Sequence, residues 1–253
     1  MEIKALDAYS LKARYYPTVI AMAPLCMIVL AAGSGLWDPA KGVIGAAVSA
    51  LGLAFVMDQV GRDQGKKKEP ALYEAWGGKP STRQLRHRDS TLDPVTLRRY
   101  HEKLAGLVGG VNMPTPEEEA ADPDAADATY ESCGAFLRQK TRGKDFALLF
   151  QENTNYGFRR NLWGMKPAGI ALAIIGTAGC AALTAAFFAM GKEDWLVAAI
   201  CTAVCIVLLV LWLCRFKPGW VRIPAEEYAR QLLAACDSLG GHKSEETHSG
   251  TGG

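Results

Sequence analysis

No Asp, Glu, Lys, Arg or His interrupts the four long apolar runs of this sequence, Pro17–Leu36, Gly42–Met57, Pro167–Met190 and Trp195–Cys214. Ion-coupled transport and proton relays depend on ionisable groups at membrane depth, so their absence argues against both. Catalytic motifs are missing too: there is no Walker A loop, no HExxH, no GxSxG and no GxGxxG. His87 and His101 each sit among arginines without an obvious carboxylate orienter, so neither reads as a general base. We therefore expect no enzymatic activity, no catalytic residue, no cofactor and no metal. The seven cysteines form no CxxC pair and no Cys/His ligand spacing, and five of them lie in or beside the apolar runs. That pattern fits reduced, packing thiols far better than a disulfide or zinc framework. No internal repeat is evident.

What the sequence does have is apolar length. Hydrophobic residues make up 49% and charged ones 21%, an average composition that conceals how strictly the two kinds are segregated. Runs near 20 residues match the roughly 30 Å hydrocarbon core of a bilayer at about 1.5 Å per residue. Gly42–Met57 is shorter and needs Asp58 and Gln59 to reach the interface. The first run is too long for a signal-peptide core and a second follows the brief WDPAK turn, so it stays in the mature chain. Four transmembrane helices are predicted. Lys and Arg are dense before the first (Lys4, Lys12, Arg14), between the second and third, and after the fourth (Arg215, Lys217, Arg222), whereas Lys41 and Lys192 alone occupy the two hairpin turns. Under the positive-inside rule both termini and the central segment are cytoplasmic. Trp37 and Trp195 then mark the outer interface, and Tyr15, Tyr16 and Trp163 the inner one. The third helix carries Ala173, Gly176, Cys180 and Thr184 at spacings of three and four, a small-residue stripe for packing inside the bundle or between subunits. Pro24 frees the Ile20 carbonyl and offers the first helix a kink, and Gly33 and Gly35 loosen its outer end.

The stretch from residue 61 to 166 is too long for a loop without structure of its own. The expected fold is therefore an all-α membrane protein, four transmembrane helices in two hairpins with a small helical cytoplasmic domain inserted between helices 2 and 3. Its segments are 1–60, an N-terminal cytoplasmic stretch and the first hairpin; 61–166, a ligand-sensing domain; 167–215, the second hairpin; and 216–253, a C-terminal cytoplasmic helix and disordered tail. Inside the central segment, Pro70 opens a short helix that Gly77-Gly78 ends. Asp93 caps a second, with Pro94 in its first turn and Leu97, Tyr100, Leu104 and Leu107 on one face before Gly109-Gly110. A third spans Asp127 to Lys140 and buries Tyr130, Cys133 and Leu137; another runs from Asp145 toward Asn153. PTPEEEAADPDAAD, between them, reads as an exposed acidic loop. Beyond the fourth membrane helix, Pro224 starts a helix with Tyr228, Leu232, Ala235 and Leu239 on one face and Gly240-Gly241 as its stop, and HKSEETHSGTGG reads as disordered.

One short stretch, PSTRQLRHRDSTLDP, places Arg83, Arg86, His87 and Arg88 within six positions. With Thr82 capping a short helix, Arg83, Arg86 and His87 fall at i, i+3 and i+4 and fan from one face. Like charges so placed repel by roughly 0.2–0.5 kcal/mol per pair unless an anion lies among them. Guanidinium donors match phosphate oxygens in pairs. Arg98, Arg99, His101 and Lys103 form a second basic patch on the next helix. From Gly61 to Lys166 there are 18 Lys and Arg against 15 Asp and Glu, seven of the acids lying between Glu117 and Glu131. Three readings stay open: local ion pairs such as Arg86–Asp89 and Arg98–Glu102; anionic lipid, to which Lys66-Lys67-Lys68 is suited; and a phosphate-bearing ligand. Trp76 and Tyr100 are candidates for base stacking, although Tyr100 shares its face with Leu97 and Leu104.

The block LYEAWGGKPSTRQLRHRDSTLDPVTLRRYHEKL, Leu72 to Leu104, together with the four-helix architecture, resembles the membrane effector of the Hailong type of bacterial anti-phage defence. The resemblance implies a multi-pass protein of the bacterial inner membrane, paired with a nucleotidyltransferase that makes single-stranded deoxyadenylate oligomers. It implies that the bound oligomer holds the effector silent and that its removal during infection lets effector assemblies, a homo-tetramer, depolarise the membrane. Arg83, Arg86, His87, Arg88, Arg98 and Arg99, with Lys103 beside them, are the positions it points to for the oligomer. Arginines spread over two helices suit an extended polyanion better than a single nucleotide. The architecture also resembles, more loosely, the cyclic-nucleotide-gated membrane effectors of related systems. A lipid-bound scaffold that recruits a partner protein is the alternative from another class.

Overall fold

Six prolines, Pro39, Pro80, Pro94, Pro116, Pro123 and Pro218, each stand first in a helix, where the missing N–H costs nothing because that donor has no intrahelical partner anyway. The computed structural model describes residues 11–36, 39–142 and 144–239, over much of 35–60 for the backbone only. The expectations for Trp37, for Gly240-Gly241 and for the tail lie outside the described residues. A π-turn at Leu11–Tyr15 leads into α1, Tyr16–Leu36. Then come α2, Pro39–Ala75; α3, Pro80–Arg83; α4, Pro94–Leu107; α5, Pro116–Ala121; and α6, Pro123–Lys140. A 3-10 turn at Lys144–Phe146 precedes α7, Ala147–Gly164, followed by α8, Lys166–Ala189; α9, Trp195–Cys214; and α10, Pro218–Leu239. The described residues are 83% helix, with no strand among them.

Two compact units result, Met1–Pro70 with Thr154–Val221, and Ala71–Asn153 with Arg222–Gly253. This division is not the four-segment one read from sequence, because the C-terminal helix shares a core with the inserted segment. Among the described residues three helical stretches, all in the first unit, are long and apolar enough to cross a membrane: Leu11–Ser34, Lys166–Ala189 and Trp195–Cys214. The second apolar run of the sequence, Gly42–Met57, lies within α2. α8 and α9 form a hairpin whose turn includes Gly191 at φ +66, and α1 packs against both.

Small residues set how closely these helices approach. A Cβ on Gly169 would meet the Trp212 ring, and one on Gly179 would meet Ile28. A Cβ on Gly176 would lie 2.5 Å from Pro24 Cβ and 3.1 Å from Cys205 Sγ, so this glycine is clasped between α1 and α9. Ala173 and Cys180 are fully buried beside it, and the Thr184 hydroxyl bonds the Cys180 carbonyl and lies 3.3 Å from the Thr202 hydroxyl. Ala173, Gly176 and Cys180 are therefore taken up inside one bundle, while Thr184 is half-buried. Gly176→Leu is expected to cost about 1–3 kcal/mol by overpacking. A lowered unfolding temperature in detergent with unchanged oligomer size checks it.

The second unit departs from the sequence reading where proline was taken as a boundary. α2 runs on through Pro70 to Ala75, with Leu72 and Trp76 buried beyond it, and ends as expected before Gly77 and Gly78 at φ 77 and 130. α10 likewise starts at Pro218 and continues through Pro224. The stretch expected as an acidic loop is helical instead: Thr115 and Glu118 form a capping box for α5, and Asp122 caps α6. Those caps satisfy the first-turn donors, and acidic side chains favour the helix N-termini, so polarity there signals helix starts. Asp93 caps α4 as predicted, accepting from the Val95 and Thr96 N–H groups. Tyr100 and Leu104 of α4, Cys133 and Leu137 of α6, and Leu232 and Leu233 of α10 meet in one core.

Candidate functional site

The arginine-rich segment begins in a helix of only four residues. Thr82 lies inside α3 rather than capping it, and its hydroxyl donates to Glu131 at 2.9 Å. Beyond Gln84 the chain turns, so Arg83, Arg86 and His87 do not share one helix face. Arg83 reaches α10 and Arg86 reaches α6, each helix supplying a carboxylate, whereas the His87 ring turns to the Pro114 carbonyl.

Arg83 pairs with Asp89 at 2.7 Å and with Glu226 of α10. Gln84 and Arg222 also donate to Glu226, each at 2.9 Å. Arg86 forms a two-pronged bond with Asp127 of α6, at 2.8 and 2.6 Å, and its third nitrogen reaches the Gly77 carbonyl. Arg88 pairs with Glu119 and Asp127, both at 2.9 Å. Glu119 is 2% exposed and accepts from Tyr130 Oη at 2.7 Å and from the backbone N–H groups of His87 and Arg88. Burial raises its carboxyl, but these donors outweigh burial and hold it below the usual value. Glu131 is depressed in the same way, against burial, by Lys79 and Thr82. The expected local pairs Arg86–Asp89 and Arg98–Glu102 are not the ones formed; Asp89 goes to Arg83.

The histidines are structural. His87 Nε2 lies 2.9 Å from the Pro114 carbonyl and His101 Nε2 2.8 Å from the Leu85 carbonyl; a carbonyl only accepts, so each ring donates there. The two rings meet edge to face at 4.8 Å, and His101 stacks on Tyr130. Burial, chiefly, holds His101 below the ordinary histidine value.

Arg98 and Lys103 make no ion pair among the described residues. Arg98 borders a cavity of about 670 Å³ shared with Asp89, Asp93, His101 and Glu102, and Lys103 one of about 580 Å³ with Phe136 and Lys140. Arg99 pairs with Asp237 at 3.3 Å. Tyr100 and Trp76 are 5% and 7% exposed, so neither ring offers the open face that base stacking needs; both fill the interior. Cys133 and Cys236 are buried and their thiols pushed up to about 11 and about 12, which leaves them unreactive. No group of three or more His, Cys, Asp or Glu able to hold a metal occurs among the described residues.

Sequence reasoning missed Glu119, Asp127, Glu131 and Glu226 as partners. The seven acids between Glu117 and Glu131 were the available signal, set against a neighbouring segment with a local excess of arginine. Comparison with family models, with curated proteins and with solved structures finds no match.

Proposed function

We propose that this chain is a membrane effector whose soluble unit works by charge exchange. In this reading four helices in two hairpins cross a bacterial inner membrane, with both termini and the soluble unit cytoplasmic, and the protein acts as a homo-tetramer. A single-stranded deoxyadenylate oligomer keeps it silent, and release of the oligomer depolarises the membrane.

The supporting observation is how the segment Arg83 to Arg88 is held: by charge-assisted pairs to Asp89, Glu119, Asp127 and Glu226. A phosphate can replace a carboxylate in such a pair, oxygen for oxygen. One strand carries many phosphates, so each exchange after the first is intramolecular and gains effective concentration. Arg98, which makes no ion pair among the described residues, is the natural first contact. Affinity for short deoxyadenylate strands is then expected to fall with salt at a log-log slope of about −0.7 per neutralised phosphate. Arg98→Ala lowers the slope by about one such increment, and Arg83→Ala with Arg86→Ala by one to two more. No nucleic acid co-purifying from cells that make the oligomer, and no salt-dependent binding, overturns the reading. A shallow slope with one mononucleotide bound in the Arg98 cavity favours a cyclic-nucleotide-gated effector instead.

One observation favours a lipid-bound scaffold that recruits a partner protein: Arg83, Arg86, Arg88 and Arg99 are already paired with carboxylates, and Asp and Glu outnumber Lys and Arg over residues 71–153 and 222–239. A scaffold passes no ions. Expression alone with a potential-sensitive dye separates the two, since an effector without its oligomer collapses the potential.

A further inference from the structure

The two ends of the candidate spans differ in kind. At the end where α8 begins and α9 stops, Lys166 Nζ donates to the carbonyls of Phe216 at 3.0 Å and Leu213 at 3.3 Å. The Arg215 guanidinium lies 5.5 Å from the centre of the Trp220 ring, and Arg159 lies 4.9 Å from the same ring. Phe216 packs between that ring and Trp212, at 5.1 and 4.8 Å. Lys68 donates to the Gly164 carbonyl and sits 5.3 Å from the Trp163 ring.

These cations lean on carbonyls and ring faces. Over residues 11–36, 61–70, 154–180 and 205–221 the acids are Asp63 and Glu69 alone. Glu69 is taken by Arg160 and Tyr156, and Asp63 lies 3.8 Å from Arg62. At the opposite end Lys192 is followed directly by Glu193 and Asp194. One end therefore concentrates positive charge with indole rings interleaved; the other is mixed.

We propose that Lys166, Arg215, Lys217 and the Trp220 ring form a binding surface for anionic phospholipid headgroups. Lys166 begins one apolar helix and Arg215 directly follows the last residue of the other, so they stand at the depth where headgroup phosphates lie. An indole with one wet edge is suited to that same layer. Two guanidinium groups over one ring repel each other, and a phosphate between them turns that repulsion into attraction. A free phosphate supplies the same charge but no acyl chains to lie along α8 and α9, so the lipid is the better occupant.

The test uses the full chain extracted in mild detergent and mixed with equal amounts of phosphatidylglycerol and phosphatidylcholine, with retained lipid counted by native mass spectrometry. Phosphatidylglycerol is expected in clear excess on the parent. Arg215→Ala with Lys217→Ala is expected to cut its retention about twenty- to thirtyfold, the effect of two interfacial cations. Arg215→Lys with Lys217→Arg keeps the charges and retains the lipid. Lys192→Ala, in the turn at the other end of the α8–α9 hairpin, changes nothing. Equal retention of both lipids by the parent overturns the proposal whether or not any variant folds. So does displacement by millimolar inorganic phosphate, which assigns the surface to the free anion. Because the oligonucleotide plays no part in this assay, the result stands apart from the fate of the proposed function.

Discussion

Glu119→Ala is expected to lower the stability of the second unit by about 3–5 kcal/mol, a large share of the roughly 5–15 kcal/mol that holds a typical domain. The carboxylate is 2% exposed and gathers Tyr130 Oη, two backbone N–H groups and the Arg88 guanidinium. Its loss leaves the buried Tyr130 hydroxyl and the His87 and Arg88 N–H groups without this acceptor and Arg88 with Asp127 alone, and unmet buried donors bear their full desolvation cost. Glu119→Gln keeps one acceptor oxygen but turns an amide NH₂ toward donors, so an intermediate loss follows. The pH dependence has a definite sign. The folded carboxyl is held below its ordinary 4.5, so its contribution is complete above that value and fades as pH falls through it toward the folded one. Urea unfolding of the full chain in detergent, followed by circular dichroism from pH 7 to pH 3, measures both effects. A Gln variant as stable as the parent, or one with the same acid limb, contradicts this account of Glu119.

The second large effect is expected at a pair of glycines in the first unit. A Cβ on Gly164 of α7 would lie 2.5 Å from the Gly65 nitrogen and 2.7 Å from its Cα; one on Gly65 of α2 would lie 2.5 Å from Asn161 Oδ1 and 3.1 Å from Asn161 Cα. At Gly164 the added Cβ meets only backbone, so no flexible side chain can yield and the helices must part. Asn161 is buried and its Nδ2 donates to the Ala13 carbonyl at 2.8 Å, so parting α2 from α7 also strains the join to the turn before α1. Gly164→Val is expected to cost about 3 kcal/mol or more. Gly219→Val, where nothing lies within 4 Å of the added Cβ, serves as the control and stays near neutral. Thermal unfolding in detergent compares them; equal midpoints for the two variants would falsify the close crossing.

The Arg86 bond to Asp127 spans 41 positions and the Arg83 bond to Glu226 spans 143. No pattern within a window of the sequence reaches so far, and the arginines read there as answering an external anion. Likewise Thr115 and Asp122 were legible as polar residues but not as caps, because Pro116 and Pro123 suggested breaks when each stands where proline begins a helix.

What the sequence determined by itself is what depends on neighbours along the chain. Uncharged length picks out Pro17–Leu36, Pro167–Met190 and Trp195–Cys214, which overlap the candidate spans Leu11–Ser34, Lys166–Ala189 and Trp195–Cys214, because hydrocarbon depth sets a residue count. Helical spacing put Leu97, Tyr100 and Leu104 on one buried face, as it did Tyr130, Cys133 and Leu137. Tertiary structure alone decided which carboxylate each arginine meets, and that the Ala173, Gly176 and Cys180 stripe turns inward against Pro24 and Cys205. Charge attraction and steric exclusion act through space, and the fold brings together residues the chain keeps far apart.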